Sequence, residues 1–290
     1  MKDWGFSPCI RFGGAMKKIL AFVAAAAMSF SMFGLDIFNY VRINGNVKNY
    51  TQIDYEIGSK FGNYTRTPVL KTITALDDSG RAIEVTELNA RDNVQNKTVN
   101  KYDVYGNRIE QIAYDANSTM LWKNVDTYNN GQKVDSSEYD KNGLLRAKTI
   151  YTYADNKVAD ETGYDGDGAL LWKIVYKYDS NGKPVDVCEY SADGSLDIQE
   201  TYTYNENGKI ESIIVYDTFT EHVERKIFRY TISGSLSEIT TYDNNKQVTN
   251  RIIIKYDAAS NVSKISEYNV AQKFGTTVNE LIAMSEYSYQ

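Results

Sequence analysis

From Leu76 to Tyr268 the chain alternates between segments of about eight residues rich in Ile, Val, Thr, Tyr and Trp and short polar clusters. The apolar segments include "KIESIIVY", "LLWKIVYKY" and "RIIIKY"; the polar clusters include "YGN", "NNG", "DKNG", "DGDG", "DSNG", "NENG" and "DNNK". Asn-Gly and Asp-Gly supply the positive φ angles of tight hairpin turns, so the segments between them are predicted to be β-strands joined as hairpins. Within a strand the period is two. One face carries Leu170, Trp172, Ile174, Tyr176 and Tyr178, and in the preceding unit Leu145, Ala147, Thr149, Tyr151 and Tyr153. The other face carries Leu171, Lys173, Val175 and Lys177, or Arg146, Lys148, Ile150 and Thr152. One face is aromatic and mostly apolar, the other mixed, which sets the first toward a core.

The strands repeat. Tyr102, Tyr128, Tyr153, Tyr178, Tyr204, Tyr230 and Tyr256 are spaced 25 or 26 residues apart, and a second series runs Tyr114, Tyr139, Tyr164, Tyr190, Tyr216, Tyr242 and Tyr268. Leu76 and Leu88 fill the same register one unit earlier, while Pro68 argues against a regular central strand before them. Tyr289 lies 33 residues after Tyr256, seven more than the longer spacing, so an insertion is expected around "NVAQKFG". The expected fold is all-β: tandem hairpin repeats of about 26 residues forming a long antiparallel meander, coiled or solenoid-like. Something like 16 strands would result, and sheets of that size curl. The Tyr-rich face would lie on the concave side, with degenerate end units as caps.

The phrase "YDxxGxLxxKxxYxY", found as "YDKNGLLRAKTIYTY" from Tyr139 to Tyr153 and "YDGDGALLWKIVYKY" from Tyr164 to Tyr178, resembles the YD repeats of Rhs-type bacterial proteins. The similarity covers roughly residues 76 to 268. It implies β-hairpins that coil into an extended sheet or shell on secreted and surface proteins. This chain has about seven good units where the large Rhs proteins have dozens, and Tyr289 still belongs to the repeat. A closed cocoon around a cargo is therefore not expected.

From Met16 the sequence reads "MKKILAFVAAAAMSFSMFG", two lysines followed by an apolar run that ends in small residues. That is the anatomy of a secretory signal peptide, and the run is short for a membrane-spanning helix. The expected organisation is a leader (1–15) ahead of the true start at Met16, a signal peptide (16–34), an N-terminal degenerate or capping segment (35–75) and the repeat domain (76–290). Export to the periplasm, cell envelope or medium follows. Net charge −6, with Lys and Arg scattered singly, argues against a nucleic-acid partner. Only Cys9 and Cys188 occur, so the mature chain has no internal disulfide. A transmembrane barrel is the competing all-β reading; it needs an uncharged outward band, yet both faces carry charges in strands such as "HVERKIFRY".

Candidate chemistry is sparse. One histidine, His222, leaves little for a His-based metal site or triad, and no cofactor is implied. "DGDG" at Asp165–Gly168 has calcium-loop spacing, but its siblings "DKNG" and "DSNG" are ordinary turns. Glu138, Asp160, Glu161, Asp186, Glu189 and Glu211 recur on positions read as solvated, and nothing singles out a catalytic pair. Trp122 and Trp172, with Tyr151, Tyr176 and Tyr202, are the residues able to stack on sugar rings, although a packing ladder uses the same residue types. The expectation is a non-catalytic exported protein binding a partner protein or polysaccharide in the envelope or outside the cell. Alternatives are a purely structural envelope protein and a toxin-immunity or inhibitor protein acting through a sheet edge.

Overall fold

The computed structural model describes residues 43–60, 63–273 and 275–290. The leader, the signal peptide and the start of the capping segment lie outside the described residues. The strands are β1 (Asn49–Lys60), β2 (Asn63–Leu76), β3 (Ala82–Asn89), β4 (Val94–Tyr102), β5 (Arg108–Asp115) and β6 (Met120–Asn129). Then come β7 (Gln132–Asp140), β8 (Leu145–Ala154), β9 (Lys157–Asp165), β10 (Leu170–Tyr178), β11 (Pro184–Ser191) and β12 (Leu196–Tyr204). The last six are β13 (Ile210–Asp217), β14 (His222–Tyr230), β15 (Leu236–Tyr242), β16 (Val248–Tyr256), β17 (Val262–Lys273) and β18 (Thr276–Tyr289). Each pairs antiparallel with its neighbours in sequence.

Turn chemistry follows the sequence closely. At "DKNG" the Asp140 carboxylate accepts the amides of Asn142 and Leu144 at 2.9 Å, while the Gly143 amide donates to the Asp140 carbonyl. Gly143 sits at φ 80°, where a side chain would be strained. "DGDG" is the same device: Asp165 accepts the amides of Asp167 and Ala169, the turn assignment preferred over calcium. Among the described residues no group of His, Cys, Asp and Glu could hold a metal ion.

Each tyrosine of the first series closes a bulge. Tyr102 pairs with Arg108, and the Arg108 carbonyl accepts the hydroxyl of the next series member, Tyr128, at 3.0 Å. The relay repeats from Tyr153 on Lys133 and Tyr178 on Val158, through Tyr204 on Pro184 and Tyr230 on Ile210, to Tyr256 on Leu236 and Tyr289 on Val262. In four units a cation precedes the acceptor and lies over the same ring: Arg81 over Tyr102, Lys157 over Tyr178, Lys183 over Tyr204 and Lys209 over Tyr230, at 4.7–5.4 Å from the centroid. The spacing of 25 or 26 residues is therefore one strand pair plus its bulge. The second series faces the other way, as the pairing of Tyr139 with Lys123 and of Tyr190 with Lys173 shows.

The sheet closes on itself. β1 pairs with β18 through seven residues, from Tyr50 opposite Tyr289 to Glu56 opposite Ala283. The seam is sealed at its end by the Lys48 amide on the Gln290 carbonyl at 2.7 Å. This corrects the coiled or solenoid-like expectation: the molecule is a closed 18-stranded barrel, not an open meander of about 16 strands. The cause lies in a regular slip. Ile174 pairs through Glu189 to Ile198, two residues short of Glu200, its equivalent one unit on; Thr98 through Ala113 to Trp122 and Ile254 through Ile265 to Ser285 slip equally. Nine two-strand units accumulate a shear of about 18, equal to the strand number, which tilts the strands by about 36° and brings the ends together. With an even strand count the first and last strands meet antiparallel.

The segment read as a cap supplies β1 and β2, which are integral to the wall. Pro68 is accommodated beside a bulge where β2 has passed its last pair with β3, Leu70 with Asn89. The expected insertion lengthens β17 and β18 to 12 and 14 residues, so two neighbouring hairpins, β1–β2 and β17–β18, outreach the rest at one end.

Candidate functional site

Because directly opposed residues share a face, the pairings sort the wall. The outer face is laced with ion pairs: Lys97 with Glu84, Lys101 with Glu110, Lys173 with Asp160, Lys177 with Asp186 and Arg251 with Glu238, all within 3.5 Å. Arg66 and Lys264 both reach Glu286 beside the seam. These pairs are partly exposed and each contributes little to stability.

The inner face has two unlike arcs. From β13 to β18 it carries an apolar cluster, Ile210, Ile213, Phe228, Leu236, Ile239, Ile252, Ile254, Val262, Ile265 and Ala283, with the Lys226–Glu224 ion pair and Asn250 bonded to Glu267 on the same face. From β5 to β12 it is polar. Asp126, 5% exposed, is held by Lys133 Nζ at 2.7 Å and Arg108 Nε at 3.1 Å. Burial alone would raise its pKa, but the two cations outweigh this and hold it below the usual carboxylate value. Glu161 is buried, accepts the Tyr176 hydroxyl at 2.7 Å, and is shifted upward by that burial. Burial likewise raises Glu138 to about 7 and Glu189 above its ordinary range. The expectation that the recurring carboxylates are all solvated therefore fails for Glu138, Glu161 and Glu189, which point inward; Asp160 and Asp186 are the outward, lysine-paired members, and Glu211 is an exposed bulge residue.

The five aromatic candidates all lie on the inner face. Trp122 is buried opposite Ala113, and Trp172 packs so tightly over Gly163 that an added Cβ there would fall 2.3 Å from its ring. Tyr176 is bonded to Glu161, Tyr202 donates to Glu200, and the Tyr151 ring carries Lys133 at 5.1 Å. No exposed aromatic row results; the five share the polar arc and its edge with carboxylates. His222 is exposed at the start of β14. The pairings of Asn124 with Glu138, Tyr151 with Glu161 and Ile174 with Glu189 put these carboxylates on the tyrosine face; spacing along the chain does not show it, because a count from tyrosine to carboxylate crosses a turn and a bulge.

On the outer wall, Leu170, Lys173, Val175 and Tyr190 line a shallow depression of about 420 Å³ above the 191–194 turn. No helix among the described residues is long and apolar enough to cross a membrane, which says nothing about strands.

No family model matches the chain, and no curated protein matches it. Among solved structures it is similar to a porin-like protein from Bacteroides uniformis, at 11% identity and TM-score 0.45, over 86% of this chain and 99% of that one. A porin-like protein from Bacteroides vulgatus aligns at 13% identity and TM-score 0.39, over 85% and 99%. The Photorhabdus luminescens Tc holotoxin pore aligns at 12% identity and TM-score 0.17, over 75% of this chain and 20% of that one. At these values the likeness assigns no function, and the barrel stands on its own strand pairings.

Proposed function

We propose that this chain is an exported, non-catalytic barrel that stands in water and acts by binding a protein partner in the envelope or outside the cell. The observation that carries the reading is the ion-paired outer wall, which suits water and is wrong for lipid. Binding of an extended polysaccharide is the weaker arm, because the tryptophans and tyrosines that would stack on sugars face inward. Expression with its own signal, followed by detergent-free fractionation and planar-bilayer recording, tests this. Recovery in the soluble envelope or medium fraction without conductance supports the proposal; extraction only with detergent, with stepwise conductance, overturns it. A glycan array should stay silent, and a hit abolished by Trp172→Ala would reinstate the sugar reading.

A further inference from the structure

The seam between β1 and β18 closes on its inner face around a carboxylate. Asp54 of β1 is 1% exposed and lies between Ser285 of β18 and Leu70 of β2. Its Oδ1 accepts the Ser285 hydroxyl and, at 2.8 Å, Gln52 Nε2, while Oδ2 has no hydrogen-bond partner among the described residues. Thr72, 4% exposed and opposite Gln52, is the diagonal neighbour of Asp54 on the same face, and its Oγ1 is equally unmet. A carboxylate so enclosed needs a counter-charge to stay ionised. The nearest cations along the surrounding strands, Arg66 and Lys71 of β2 and Lys264 of β17, face outward and pair with Glu286, Asp92 and Glu286. The titratable groups that share the inner face are Tyr50 and Glu56 on β1, Tyr287 and Tyr289 on β18, Glu267 on β17 and Glu87 on β3, whereas β2 presents Leu70, Thr72 and Thr74. None of these is a cation, so none favours the charged form of Asp54. Burial accordingly raises the Asp54 pKa above its ordinary 3.8, against the pull of its two hydrogen bonds.

The position of this group gives it a consequence. β1 adjoins β2 in sequence and shares twelve residue pairs with it, but it meets β18 through seven pairs and no turn. An ionised Asp54 must reach water, and the β1–β18 junction is the weaker wall beside it. We propose that Asp54 is a proton-held latch: with its proton the barrel closes at the seam, and loss of that proton parts β1 from β18 before any other pair of strands. The closed barrel holds a proton that the opened chain loses, so the stability of the seam is complete below about 3.8 and is lost as pH rises through the higher folded value. Opening bares the backbone edges of both strands. Glu138, Glu161 and Glu189 also hold raised values, but on β7, β9 and β11, so the latch is read locally at the seam.

Amide protection factors, each corrected for the rate of an unstructured amide at the same pH, are followed from about pH 5 to about pH 8.5 in the wild type and in Asp54→Asn. In the wild type, Tyr50–Glu56 and Ala283–Tyr289 should lose about tenfold or more in protection relative to β15 and β16 across that range. In Asp54→Asn they should stay level, because the amide keeps the shape without a titrating proton. A wild-type seam that is indifferent to pH, a seam unprotected at every pH, or an equal loss in both chains would overturn the proposal. Should Asp54→Asn not fold, NMR titration of the wild type with carboxyl-labelled aspartate decides. Asp54 is the one aspartate among the described residues with a raised value, so one carboxyl should titrate above the rest, at the midpoint where the seam loses protection. All aspartates titrating in or below the ordinary range, or a midpoint that does not match, would overturn the latch.

Discussion

The hydroxyl of each first-series tyrosine serves as a backbone group would, taking the carbonyl beside a bulge. Tyr178→Phe removes the 2.8 Å bond to the Val158 carbonyl and should cost about 1 kcal/mol, read as a fall of a few degrees in Tm. Gly163→Val would drive a branched side chain into the Trp172 ring and should cost about 1–3 kcal/mol, with a red-shifted Trp emission as the independent sign of displacement. Glu138 sets a pH dependence: its folded pKa of about 7 exceeds its ordinary 4.5, so the folded state holds a proton that the unfolded state has lost. Stability should fall as pH rises from about 4.5 to about 7, and Glu138→Gln should flatten that slope in urea titrations. Asp126 works oppositely: its depressed value contributes stability present above the unfolded pKa and lost as pH falls through the folded one. The tyrosine register and its inward direction were legible from spacing alone. The outward turn of the second series was not: Tyr139 lies 11 residues after Tyr128 and Tyr190 lies 12 after Tyr178, yet both face outward, because a turn and a bulge intervene and the parity of the count does not carry the face.

Among the elements, the hairpins were legible because Asp-x-x-Gly and Asn-Gly fix their turns locally. β1 and β2 were not: they lack the tyrosine marker, and Pro68 reads as a breaker unless the position is known to lie past the partner strand. The seam between β1 and β18 is the one junction without a connecting turn, and it is tied by side chains on both faces. Inside, Ser285 donates to Asp54; outside, Tyr55 donates to Glu286 at 3.1 Å. If the ring is continuous there, the position of the chain break is arbitrary. A circular permutant that joins Gln290 to Asn44 through a short linker and opens at Lys141–Asn142 should fold with unchanged circular dichroism and near-native Tm. Aggregation of that permutant, alongside a well-folded parent, would show that the seam does not hold.

At the scale of the whole molecule the consequences come from two residues of slip per unit, a quantity that no motif displays. Bulges at the tyrosines set it, and nine repetitions turn a meander into a ring; the solenoid expectation lacked only this number. The ring gives the strands an inside and an outside, and so separates the ion pairs facing water from the aliphatic and carboxylate arcs facing inward. Amide hydrogen exchange on the detergent-free mature chain tests closure most directly. In a closed barrel, Tyr50–Glu56 and Ala283–Tyr289 should exchange as slowly as the hairpin-joined strands β9 and β10. Exchange of those two strands at open-edge rates, with β9 and β10 still protected, would contradict the ring.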